Sequence, residues 1–179
     1  MAELEVVVRS ARRLQLEIDK LGIGRRISPK TISVKPEDLI GLYDILVKSK
    51  ELRNATRKLF ADGHYARAVE EAYKCVNNLV KFKSHLSNDG QELMTQAFSG
   101  KNPVLKLNEL RTDSNRNEQL GYMLIFAGCM TGIRNPRAHE HELQDSPEIA
   151  LEMLAWANHL IRVINKAKRV RKLKKTKTP

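Results

Sequence analysis

Apolar residues in this chain recur mostly at intervals of three and four, the spacing that gathers them on one face of a helix. Residues 1–21 are expected to form a charged amphipathic helix that Gly22 and Gly24 end. Ile27 to Lys35 is expected to be extended or a short strand, and Pro36 to open a helix with Glu37 and Asp38 in its first turn. Leu39, Leu42, Tyr43, Leu46 and Val47 mark that helix's apolar face. A short helix from about Glu51 to Phe60 stops at Asp62-Gly63. The longest periodic run follows, from His64 to Leu86, with Tyr65, Val69, Ala72, Val76 and Leu79 on one face.

Asn88-Asp89-Gly90 signals a turn, Leu93 to Phe98 a short helix, and Ser99 to Pro103 a breaker. Arg111 to Asn117 is polar throughout and is expected to be a loop. From Leu120 to Ile133 almost every residue is apolar, so that helix must be covered on all sides by its own bundle or by a partner chain. Gly121, Gly128 and Gly132 along it would let another helix approach closely. The last helix opens with Ser146 as N-cap and Pro147 at its first position. Its face is Ala150, Met153, Leu154, Ala157, Leu160, Ile161 and Ile164, and it is expected to run on into the tail. The fold class is all-α: a helical bundle over residues 51–165, an N-terminal helical extension over 1–50 and a basic tail over 166–179.

Charge refines this picture. Of the formal net charge of +11, eight positive charges lie between Lys166 and Pro179 with no acidic residue, so the rest of the chain carries only +3. Such a tail attracts nucleic acid or anionic lipid without reading a sequence, and it serves equally as a solubilising end. Cys75 and Cys129 lie far apart in apolar stretches, outside any CxxC pair, and read as buried free thiols. Val6 to Val8 is too short an apolar run for a signal peptide, and no stretch reaches the length of a membrane span. The expected location is cytoplasmic, with no membrane partner.

The densest group of reactive side chains is Gly132-Ile133-Arg134-Asn135-Pro136-Arg137-Ala138-His139-Glu140-His141-Glu142. Pro136 is expected to push Asn135 out of the α region and turn Arg134 and His139 outward at a break. Cleaving RNA through its own 2′-hydroxyl needs a base, an acid and positive charge at the phosphoryl oxygens. Histidine serves either proton role near neutrality, and arginine's planar fork fits phosphate oxygens without losing its charge. Asn135 could orient substrate oxygens through its amide. Spacing alone is weak evidence, since Arg57 and His64 share an Arg-x6-His spacing across a turn. The rival reading has His139 and Arg137 as surface residues paired with Glu140 and Glu142.

Beyond the cluster itself, the chain resembles the uncharacterised bacterial Ymh-type family, a member of the HEPN superfamily of helical nucleases and RNA-binding proteins. The resemblance rests on Gly63-His64-Tyr65-Ala66, Asp89 to Met94, Lys101 to Asn108, Phe126-Ala127-Gly128 and Arg134 to His139, over roughly residues 50–165. It implies a HEPN-like bundle, a metal-independent endoribonuclease, and a homodimer whose two motifs face each other across the twofold axis. It implies Arg134, Asn135 and His139 as catalytic residues, with Arg137 and His141 as contacts to an RNA substrate. His141 departs from the pattern by offering a second Arg-x6-His spacing. By analogy the resemblance also implies phage defence or a toxin–antitoxin system, with an antitoxin or defence-complex protein as a further partner. Superfamily members lacking a working motif act as RNA- or protein-binding modules, and a regulator that binds nucleic acid through the tail is a third reading.

No cofactor and no metal is expected: His139 and His141 fall on different helix faces, and neither HExxH nor a cysteine set is present. Glu70 and Glu71 read as a solvated face, and Trp156 as a packing residue.

Overall fold

The computed structural model describes residues 36–140 and 142–170 of the chain. The expected N-terminal helix and extended segment, His141, and the tail beyond Val170 lie outside the described residues. Among the described residues seven α-helices follow one another: α1 (Pro36–Leu46), α2 (Lys50–Ala61), α3 (Tyr65–Ser84), α4 (Gly90–Ala97), α5 (Asp113–Cys129), α6 (Asn135–His139) and α7 (Pro147–Lys166). A two-stranded ribbon, β1 (Leu105–Lys106) and β2 (Lys168–Arg169), joins distant parts of the sequence. The fold is all-α apart from that ribbon. No helix among the described residues is long and apolar enough to cross a membrane.

Local chemistry sets most boundaries. Ser49 Oγ accepts the Leu52 N–H at 3.3 Å to start α2, and Ser146 caps α7 in the same way. Gly63, at φ 81°, reverses the chain after α2: its N–H reaches the Phe60 carbonyl and that of His64 reaches Leu59. Polar residues 113–117, expected to be a loop, are the opening of α5. Thr112 and Asn115 form a capping box there, and an exposed first turn has no reason to be apolar.

α3 is the central element and packs against α2 and α7. Its Val69, Ala72, Tyr73, Val76 and Val80 are fully buried, whereas Tyr65 and Leu79 are half-buried. Leu39 and Tyr43 of α1, with Val47 just beyond it, reach the core, while Leu42 and Leu46 stay exposed. Only the i, i+4, i+8 ridge of that helix faces the bundle. Tyr43 stacks on Phe60 and donates to, or accepts from, the Thr56 hydroxyl at 2.7 Å. Asn158 Oδ1, buried on α7, accepts the Lys48 and Ser49 N–H groups and so fixes the α1–α2 turn. Phe98 and Phe126 stack at 4.5 Å between α4 and α5. Both cysteines are free; Cys129 is buried and Cys75 half-buried, and burial pushes both thiols up.

α7 does not continue into the tail. Ala167 is extended, and the chain turns so that Lys168–Arg169 pairs antiparallel with Leu105–Lys106. The Lys83 amine binds the Ile164 and Asn165 carbonyls, which places a cation at the helix's negative end. The buried Gln119 amide anchors β1 by donating to the Phe98 and Leu105 carbonyls and accepting the Leu107 N–H.

Candidate active site

α5 leads into the reactive cluster through one π-helical turn, Met130–Arg134. The Asn135 N–H reaches back to the Met130 carbonyl, and α6 begins directly after it. Pro136 sits in the first turn of α6, where its missing N–H leaves no gap. Asn135 keeps helical angles, φ −62° and ψ −45°, so the expected break before Pro136 does not occur. The wider π turn absorbs the proline instead of breaking the helix, and such turns recur at functional sites.

Arg134 is half-buried. Its Nη1 donates weakly to Asn135 Oδ1 at 3.4 Å, and its Nε is buried with no acceptor among the described residues. Asp89, the residue before α4, lies close enough to feel its charge. Lys81 first, then Asn77, and more weakly the Arg134 guanidinium hold the Asp89 carboxyl below the usual carboxylate range, against some burial. Lys81 Nζ and Asn77 Nδ2 bind that carboxylate at 2.7 and 2.9 Å. Asn77 also accepts the Gly90 N–H, so the turn that carries Asp89 is pinned to α3.

His139 is exposed at the end of α6. Five helical residues separate it from Arg134, a rotation of about 140°. One chain therefore sets His139 one turn beyond Asn135 on the same face, and away from that of Arg134. Among the described residues, no carboxylate forms an ion pair with Arg134 or His139, and neither Glu140 nor Glu142 takes up the imidazole.

Arg137 has a different fate from the one expected. Its Nε and Nη2 bind the two Asp145 oxygens at 2.7 and 2.6 Å, and Nη1 donates to the Ile133 carbonyl. All three nitrogens are occupied and the side chain is only 10% exposed, so in this structure Arg137 braces α6 against the residue before α7, at the edge of a cavity that it also lines. The partner is Asp145, not Glu140 or Glu142.

Behind α6 lies a cavity of about 670 Å³, lined in part by Ala138, Glu140, Arg67 and Glu70. Glu70, expected on a solvated face, is buried and paired with Lys74 and Arg67 at 2.8 and 2.7 Å. Burial pushes its carboxyl up, yet those two partners outweigh it and hold the group below its ordinary value.

The apolar face of α5 is not covered all round. Leu120, Leu124 and Ile125 are 43%, 60% and 37% exposed. A Cβ built on Gly121, Gly128 or Gly132 would meet nothing within 4 Å. These positions fall on one stripe of the helix that leads into Arg134. Trp156, expected in the core, is 39% exposed and stacks on His159 at 5.2 Å, and His159 Nε2 lies 2.9 Å from the α5 hydroxyl of Tyr122. Lys81 and Asp145 carry no signal in the sequence, whereas Asp89 shows there within a turn and within the resemblance.

No curated protein and no solved structure matches this chain. A family model described as "Protein of unknown function (Hypoth_ymh)" matches residues 49–164, which takes in every helix from α2 to α6 and the whole Arg134–His139 segment. That match covers more than half of the sequence, and the chain therefore belongs to the Hypoth_ymh family.

Proposed function

We propose that this chain is a HEPN-type, metal-independent endoribonuclease that acts as a homodimer. One observation carries the reading: Arg134 and His139 have no carboxylate partners among the described residues, and the helix that leads into them, α5, bears an uncovered apolar stripe. A second copy docked on that stripe about a twofold axis would bring two Arg134 and two His139 side chains to one cleft. This supplies what a single motif lacks, since the reaction needs an acid and a base and each Arg134–His139 segment brings one His139.

In that cleft one His139 takes the proton of the RNA 2′-hydroxyl as its oxygen attacks phosphorus. The partner's His139, protonated, gives its proton to the departing 5′-oxygen as the P–O5′ bond breaks. A cyclic 2′,3′-phosphate and a free 5′-hydroxyl result. Arg134 holds the non-bridging oxygens through its fork and Asn135 steadies the guanidinium. The reading extends by analogy to phage defence or a toxin–antitoxin pair, with a protein partner restraining the activity.

The test is RNA cleavage by the purified full chain in EDTA. Wild type should cut and His139→Ala should bind RNA without cutting. A wild-type chain that binds RNA yet leaves it intact, and is harmless on expression, would make the chain a binding module instead.

A further inference from the structure

A groove of about 950 Å³ lies at the far end of α4 from Arg134, between the β ribbon, the turn after α3 and residues 101–104. Its charged lining residues are Lys101, Lys106 and Arg169, with the titratable His85 beside them; no aspartate or glutamate lines it. None of the three fixed cations has an ion-pair partner among the described residues. On the ribbon Lys106 stands directly opposite Lys168, which lines a neighbouring cleft with Glu109. Like charges across an antiparallel pair destabilise it, so the fold keeps a repulsion here that an anion would relieve. Glu109 answers Lys168 alone, at 3.4 Å.

The shape narrows the anion. Apolar lining from Leu86, Pro103, Val104 and Leu110 accompanies the cations, a match for ribose beside a line of phosphates. The lining has no Phe, Tyr or Trp, and His85 brings its one imidazole beside three fixed cations, so most of the grip falls on the backbone and tolerates varied sequence. A concave site suits a strand better than a lipid surface. Position adds a connection: Asp89 at one end of α4 feels the Arg134 charge, and Gln96 near the other end lines the groove. The helix between them is about 12 Å long, a span that a short stretch of single strand covers.

We propose that this groove binds the phosphate backbone of a single RNA strand beside the cleavage point, with Lys101, Lys106 and Arg169 as its contacts. The choice of RNA rests on the ribonuclease reading; retention of a single strand by the groove is measured separately from cutting.

The experiment uses the full chain carrying His139→Ala and a fluorescein-labelled single-stranded RNA, with anisotropy read across a salt series. Each phosphate contact contributes about 0.7 to the slope of log affinity against log salt, so Lys101→Glu/Lys106→Glu/Arg169→Glu should lower that slope by about two and weaken binding at least about tenfold. The Gln version of the triple variant, checked for unchanged circular dichroism, should lose the same slope and so separates lost contacts from misfolding. Unchanged affinity and slope in both variants, or binding abolished by deletion of residues 171–179 alone, overturns the proposal. So does binding of phosphatidylserine vesicles, but not RNA, that the same variants abolish. If the triple variants lose RNA binding while wild type never cuts, the groove stands and the nuclease reading falls. If wild type cuts, and the same triple variants made with His139 intact bind and cut equally well, the reverse holds.

Discussion

Arg137 and Asp145 are joined by two parallel hydrogen bonds of 2.7 and 2.6 Å, with side chains only 10% and 6% exposed. The pair ties α6 to the residue that precedes the α7 cap, and it therefore sets the angle at which His139 leaves the bundle. Removing one member of such a pair strands a buried charge. Asp145→Ala should cost about 3–5 kcal/mol in urea unfolding, whereas replacing both residues with apolar side chains of similar volume should be near neutral. A loss below about 1 kcal/mol for the single variant would show the pair to be as weak as an exposed one.

The stripe on α5 makes a prediction whose sign is informative. Gly128 lies in mid-helix with open space around a built Cβ. In an isolated chain Gly128→Ala should stabilise by about 0.5–1 kcal/mol through lower backbone entropy. In a dimer closed over that position the methyl group meets the partner, and sedimentation should show weaker association. Leu124→Glu, at a site 60% exposed, should leave helical content unchanged and give a monomer without cleavage activity. A Leu124→Glu chain that remains dimeric moves the interface elsewhere.

Glu70 links stability to pH. Burial raises its carboxyl, Lys74 and Arg67 lower it further, and the net value in the folded chain lies below the ordinary 4.5. A lowered folded value means that the unfolded chain binds more protons as pH falls. The stabilisation is complete above 4.5 and drains away as pH drops through the folded value. Glu70→Gln should be less stable than wild type at neutral pH, and the two unfolding curves should converge on acidification from about pH 5 downward. Parallel curves would show that Glu70 contributes no proton linkage.

Local chemistry was legible in the sequence. Ser146-Pro147 announces the start of α7 because a cap is satisfied within three residues, and the α3 and α7 faces follow from spacing alone. The opening of α5 was misread because polarity outweighed the Thr112–Asn115 box, which was present in the same letters. Pro136 was misread because a π turn upstream changes what a proline disrupts, and no single residue signals that turn. Within the site, Arg134, Asn135 and His139 were visible as a motif. The capture of Arg137 by Asp145 was not, since it depends on the path of the intervening chain. The groove was also hidden, because it forms only when Lys106 and Arg169, 63 positions apart, meet on one ribbon.

That ribbon hangs on Gln119. Its buried amide serves the Phe98 and Leu105 carbonyls and the Leu107 N–H at 2.9, 3.0 and 2.9 Å, so one side chain satisfies three backbone groups around β1. Gln119→Leu keeps the bulk but strands those groups, and each buried orphan costs about 1–3 kcal/mol. The loss should be local before it is global. Amide exchange at Leu105–Leu107 and Lys168–Val170 should accelerate well beyond that of α3, and RNA affinity should fall with it because Lys106 and Arg169 lose their shared frame. Equal exchange in the ribbon of both proteins would mean that the strand pairing itself, and not the Gln119 anchor, holds the groove together.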